Sequence, residues 1–274
     1  MTDRASILKM LHAVGENDDG DIDLADTALL LAALDRPDAD LGLYRAYLKD
    51  LNRDLGVEAT LAESLAERRR TLRTVLAEAH EYKGDSATYE DMQNANLMRV
   101  IDRRRGLPVA LGILYIQAAR AQGWEAAGLN VPAHFLIRLS DGSEHAILDP
   151  FNGGRTVDPA RIGGLLGLPG AEMPSAGDFQ AMSNRDVLLR LQNNIKVRAL
   201  QAKDLERAVA VLESMFALSP EIVPLWWEAA VHLEALDRPG AAAKIMQDCL
   251  DHPAVVDPPK EIEDFIRRMR RKLN

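Results

Sequence analysis

The chain has 274 residues, 47% apolar and 27% charged, the proportions of a globular protein long enough to bury a core, so a disordered chain and a small stapled scaffold are excluded. Its 33 Lys and Arg stand against 42 Asp and Glu for a formal net charge of −9, which argues against a nucleic-acid footprint over the whole surface. The single Cys249 excludes an internal disulfide framework and a cysteine-built zinc cluster, and with no apolar run of about 18 residues and charges throughout residues 1–19, the expectation is a cytoplasmic protein that binds neither membrane nor nucleic acid.

Apolar residues at three- and four-residue spacing predict helices over Ile22 to Leu34, Leu41 to Leu55 and Leu61 to Tyr82. Breaks at Asp35 to Pro37 and Lys83 to Asp85 separate them. A short helix follows over Asn94 to Arg104, and a longer one begins at Pro108, whose missing N–H suits a first helical turn, and ends at Gly123. The period then changes to two. Trp124 to Asn130, Ala133 to Leu139 and His145 to Leu148 read as strands, with Asp141 and Gly142 as a two-residue hairpin loop. Thr156 and Val157 read as a brief further strand, Gly163 to Gly177 as a linker, and everything beyond Ser183 as helix.

The helical tail carries a weak repeat. Asp204, Ala208, Leu212 and Pro220 recur as Asp237, Ala241, Ile245 and Pro253, a spacing close to the ~34 residues of a tetratricopeptide helix pair. Ala208 and Ala241 are small enough to let paired helices approach. Two such units are fewer than the ~3 that stand alone, so the repeats are expected to pack on other parts of the chain, with Glu261 to Leu273 as a cap.

With Asp141 and Gly142 as the loop, Ser140 faces Ser143, Arg138 faces His145, and His134 faces Asp149. Opposed side chains in such a pair sit about 5 Å apart, within reach of an imidazole–carboxylate hydrogen bond. One sheet face is then polar and the other, with Phe135, Ile137, Ala146 and Leu148, is core. A His held by an Asp is the base-and-orienter half of a nucleophilic triad. The missing nucleophile belongs at the helix that starts after Gly106, where peptide dipoles would lower a thiol pKa. His145 adds a third possible metal ligand by residue type, but the register sets it four residues from Asp149, and no metal or other cofactor is expected.

The run from Asn96 to Tyr115 with its Arg103-Arg104-Arg105-Gly106-Leu107-Pro108 segment, then Gly123, then Val131 to Leu136 around His134, then Ile147 to Gly154 with its Asp149-Pro150-Phe151-Asn152-Gly153-Gly154 turn, resembles the SirB-type transglutaminase-like family. Proteins of that family join such a domain to C-terminal tetratricopeptide repeats. The resemblance is close over Met92 to Leu166 and looser over the tail. It implies a papain-like core in which a helix bearing the nucleophile packs on a sheet that supplies His and Asp, and His134 and Asp149 match those two positions. Active relatives begin the helix with Gly-x-Cys. Here Gly106 and Leu107 are followed by Pro108, and no Cys, Ser or Thr occurs between Leu107 and Leu139.

The sequence reading is an α+β fold: a mostly helical transglutaminase-like core with a small antiparallel sheet over residues 1–178, then an all-α tetratricopeptide-like domain over residues 179–274. The implied role is that of a non-catalytic protein- or peptide-binding regulatory or adaptor module. His134 and Asp149 are the triad remnant, Pro108 stands at the nucleophile position, and Arg104, Arg105 and Asn152 are candidate binding residues beside the cleft, the arginines for a carboxylate. The repeats offer a concave surface to a second partner. The alternative is a hydrolase or amidase that uses His134 and Asp149 without a cysteine. Arg68 to Arg70 read as a solvated helix face, and Trp226 and Trp227 as supplying at least one core side chain.

Overall fold

The computed structural model describes residues 3–131, 134–159, 162 and 179–273. Gly163 to Gly177, read from the sequence as a linker, lies outside the described residues. The described part of Asp19–Leu188 forms one compact unit, and that of Thr2–Asp18 with Leu189–Asn274 a second.

The helices of the first unit begin where the sequence supplies caps. After α1 (Arg4–Gly15), Asp23 caps α2 (Leu24–Ala33), Asp40 caps α3 (Leu41–Ala59), and Ser64 with Glu67 forms a reciprocal capping box on α4 (Leu65–Leu72). α4 runs on as widened π-helical turns over Arg73–Ala79. Asn96 caps α5 (Leu97–Arg103). α6 (Pro108–Ala121) starts with Pro at its first position and is buried almost all round, as expected of a helix apolar on every face. Two short strands that the periodicity did not reveal, β1 (Lys83–Gly84) and β2 (Arg105–Gly106), pair in parallel just before α6.

β3 (Glu125–Val131), β4 (His134–Asp141), β5 (Glu144–Asp149) and β6 (Arg155–Val157) form an antiparallel sheet in chain order. Phe135 lies over Gly112 of α6 and Gly128 of β3, where a Cβ would come within 2.3 and 2.7 Å of its ring. The other face is not the polar surface that alternation predicted. Leu129, Val131, Leu136 and Ile147 are buried there with Ile162, against Val157 and Phe179.

The hairpin register also differs. Asp141 pairs with Glu144, Ser140 with His145, Arg138 with Ile147 and Ile137 with Leu148, so the loop is Gly142 and Ser143. Gly142 has φ +58° and no positive φ occurs at Ser143. That pattern puts Gly first in the loop, as a II′ turn requires, whereas the sequence reading used Gly second, as in a I′ turn. Extended, this register sets Leu136 rather than His134 in line with Asp149. His134 pairs instead with Val131 of β3.

In the second unit, α7 (Asn184–Gln201), which starts in the first unit, is followed by α8 (Leu205–Leu218), α9 (Val223–Ala235), α10 (Pro239–Asp251) and α11 (Glu261–Arg271). α1 also belongs to this unit, although the sequence reading put residues 1–18 with the first domain. Its Ile7 and Leu11 are buried, Arg4 pairs with Glu213 at 2.7 Å, and Gly15 allows Ala217 O within 2.3 Å of where a Cβ would stand. Trp226 stacks on Phe216 at 3.9 Å and donates to Pro220 O. Ala208 is buried, whereas Ala241, matched to it by the repeat spacing, is half-buried and its neighbours Ala242 and Ala243 are buried. No helix among the described residues is long and apolar enough to cross a membrane.

Candidate functional site

The start of α6 is fixed by a network of main-chain and buried polar contacts. Gly84 of β1 stands beside Gly106 of β2, Asp85 N–H donates to Gly106 O, and Leu107 N–H donates to Asn94 O. Arg103 Nη2 donates to Asp85 Oδ2 at 2.7 Å, and its Nη1 to Asn94 Oδ1 at 2.9 Å. Thr88 supplies Asp85 with one backbone and one hydroxyl donor. These donors, those of Thr88 first and Arg103 after, hold the Asp85 carboxyl down at about 2. Arg103 therefore serves the fold.

The Asp149 turn reaches the same place. Gly84 N–H donates to Phe151 O at 2.9 Å, and the Phe151 ring lies so close to Gly84 that a Cβ there would meet it at 2.4 Å. Tyr89 meets Phe151 edge-on. Asp149 accepts from Asn152 N at 3.1 Å and from Asn152 Nδ2 at 2.6 Å, a local side-chain-to-backbone bond that closes the turn. Asn152, expected to bind a ligand, thus spends its amide donor on Asp149. Gly153 and Gly154 follow at φ +69° and +68°, and Gly154 lets the buried Tyr115 ring approach to within 2.8 Å of where its Cβ would be.

His134 is exposed at the first position of β4. It shares a sheet face with Leu136, while Phe135 takes the face covered by α6. The register does not oppose it to Asp149, so the cross-strand pairing inferred from the sequence is corrected. What the fold brings together is the Asp149 turn and the start of α6, through β1. Pro108 occupies the first position of that helix and offers no attacking atom. Cys249 is buried in the second unit, and burial pushes its thiol up to about 11, which leaves it protonated and unreactive near neutral pH.

Arg105 donates to the main-chain oxygens of Glu81 and Arg104 and so braces its own loop. Arg104 is placed differently. It sits at the C-terminal cap of α5 with φ +57°, a left-handed conformation that a non-glycine residue adopts only when its surroundings compel it. Its guanidinium lies 4.6 Å from the Tyr47 ring centre and 4.9 Å from that of Tyr82, and Nη1 donates to both hydroxyls, at 2.6 and 2.5 Å. Tyr82 donates to Tyr47 Oη, Tyr47 Oη bonds His80 Nδ1 at 3.1 Å, and His80 Nε2 meets Asp54 at 3.2 Å. This network joins α3 to the segment after α4 over distances in sequence that no local motif reveals, and the sequence reading missed it. The arginine run of α4 is also not simply solvated: Arg68 pairs with Asp141 at 3.2 Å and Arg69 donates to Thr156. Among the described residues no group of three or more His, Cys, Asp or Glu is placed to hold a metal ion.

Comparison with known proteins gives the family. The chain is 27% identical over 219 residues to a UPF0162 protein of Xylella fastidiosa, covering 78% of each chain. It is 30% identical over 175 residues to a UPF0162 protein of Pseudomonas aeruginosa, covering 63% of each. A shorter match, 36% over 78 residues, spans 28% of this chain and 12% of mouse F-box only protein 21. No solved structure matches the chain. Residues 43–193, which hold α6, the sheet and the Asp149 turn, match the model of the transglutaminase-like superfamily, and the chain belongs to that superfamily.

Proposed function

We propose that this protein is a non-catalytic, SirB-type transglutaminase-like module whose helical tail is tetratricopeptide-like, and that it acts in the cytoplasm as a protein- or peptide-binding regulatory or adaptor protein. The surface beside His134, Asp149 and the start of α6 takes an extended chain or an acyl or amide group and does not cleave it. One observation carries this reading: the first position of α6, where active relatives have their cysteine, holds Pro108. Covalent catalysis needs a nucleophile within hydrogen-bond reach of its base, and the one thiol in the chain is buried elsewhere.

The exposure of His134 favours a second reading, a hydrolase or amidase in which the imidazole activates water. Fluorescent extended peptides and acyl amides, titrated by anisotropy and then recovered and analysed by chromatography, separate the two. Binding with intact recovery is expected. Cleavage that His134→Ala abolishes would replace the binding module with the hydrolase.

A further inference from the structure

A cavity of about 490 Å³ opens in the first unit, lined by Arg36, Leu43, Tyr44, Tyr47, Asp102 and Arg104 among others. Such a volume suits a small organic ligand. None of its lining residues lies on the sheet or in the Asp149 turn, so it is a site apart from the one discussed above.

Its charges are unevenly spent. Asp102 accepts from Arg36 Nη1 at 2.7 Å and from Tyr44 Oη at 3.0 Å. Asp40 spends its carboxylate on Gly42 N–H at the start of α3. Arg104, by contrast, is half-buried and pairs with no carboxylate among the described residues, and Asp54 lies three polar contacts away, through Tyr47 and His80. A guanidinium so placed ordinarily has an anionic partner, because taking a charge out of water is costly unless it is matched.

The free donors have a direction. All side-chain hydrogen bonds of Arg104 leave from Nη1, so Nε and Nη2 donate to nothing among the described residues. Neither is sealed from solvent, unlike the unpartnered Nε atoms of Arg68 and Arg138. Together Nε and Nη2 form the edge that grips two oxygens of one anion in parallel. The hydroxyls and rings of Tyr47 and Tyr82 hold the guanidinium through Nη1 and ring contacts, so the fork is oriented before a ligand arrives and little side-chain entropy remains to be lost. Leu43, 68% exposed, and the buried Ile101 give the cavity apolar wall.

We infer that this cavity binds a carboxylate carried on an apolar body, with the Nε and Nη2 edge of Arg104 gripping the carboxylate and Leu43 and Ile101 covering the apolar part. The carboxylate belongs either to a free organic acid or to the C-terminus of a peptide. Apolar acids and peptide ends share this chemistry, and an uncharged amide of the same shape lacks it.

Isothermal titration of the full chain with N-acetyl-leucine and with N-acetyl-leucinamide tests the inference. The acid is expected to bind at least tenfold more tightly than the amide, and Arg104→Gln to weaken the acid at least tenfold. Because Arg104 also braces Tyr47 and Tyr82, Leu43→Asp provides a second variant at an exposed position. It sets a like charge at the mouth of the site and is expected to weaken the acid to a similar degree with an unchanged melting temperature. Acetyl-Ala-Ala-Leu as the free acid distinguishes the sources: tighter binding than N-acetyl-leucine assigns the site to peptide ends, equal binding to free acids, and either result upholds a carboxylate site. Equal binding of acid and amide, no binding of the acid at 10-fold excess over ~1 mM protein, or acid binding untouched by Leu43→Asp would overturn it.

Discussion

Asp85 shows how one carboxylate is committed to holding the start of α6. Its folded pKa of about 2 lies below the ordinary value of 3.8, chiefly through the two donors of Thr88 and then Arg103. Between those values the unfolded chain binds a proton that the folded chain refuses, so stability rises with pH there. The contribution is full above the unfolded value and is lost as pH falls toward about 2. Urea unfolding at pH 5 and pH 3 is therefore expected to show a smaller acid loss in Asp85→Asn than in the unchanged chain, and an equal loss would refute this. Gly112 makes a steric demand instead. An added methyl would stand 2.3 Å from the Phe135 ring, which Gly128 confines from the other side. Gly112→Ala is expected to cost ~1–3 kcal/mol, read by denaturant unfolding, whereas Gly20→Ala, with open space around it, should cost far less. Around the start of α6 the sequence marked Pro108 and Asp149, because each sits in a recognisable local run. Tyr47 and Tyr82 stayed invisible because they meet each other and Arg104 across long stretches of sequence, and Asp85 read only as part of a helix break because its pairing with Arg103 spans 18 positions.

At the scale of elements, periodicity was a sound guide where one face of a helix or strand is buried. α2, α3, α6 and the four strands of the sheet fall within a few residues of where alternation put them. It failed where pairing depends on a turn. The choice between Asp141-Gly142 and Gly142-Ser143 as the loop moves every cross-strand partner, and composition alone does not make that choice. β1 and β2, two residues each, are too short to show a period at all. The observed register is open to direct test, because Ser140 and His145 stand opposed, with His145 Nδ1 3.0 Å from Ser140 Oγ. Ser140→Cys with His145→Cys is expected to form a cross-strand disulfide under mild oxidation, and Ser140→Cys with Ser143→Cys is expected to stay reduced, as read by intact mass after alkylation. The opposite pattern would restore the register in which His134 faces Asp149.

At the scale of the molecule, the helical tail is completed from the other end of the chain. α1 buries Ile7 and Leu11 in the second unit, at ~1.5–3 kcal/mol for each side chain, a role that a charged N-terminal stretch did not advertise. Removal of residues 1–18 is expected to lower the stability of the second unit, and Ile7→Ala with Leu11→Ala in the full chain should reproduce most of the loss. An unchanged unfolding profile in both variants would contradict that assignment. The order of helix, sheet and helical tail was legible from the family-like runs, since it follows chain order, whereas the membership of α1 depends on contacts between residues some two hundred positions apart. On the function proposed above, a transglutaminase-like core with Pro108 at the head of α6 recognises its ligand and does not react with it. The most direct measurement is the intact mass of protein and peptide together after long incubation with a glutamine-containing peptide. Both masses are predicted to remain unchanged. A protein adduct of the peptide less ammonia, or a peptide gaining the mass of hydrolysed amide only when the protein is present, would contradict the account.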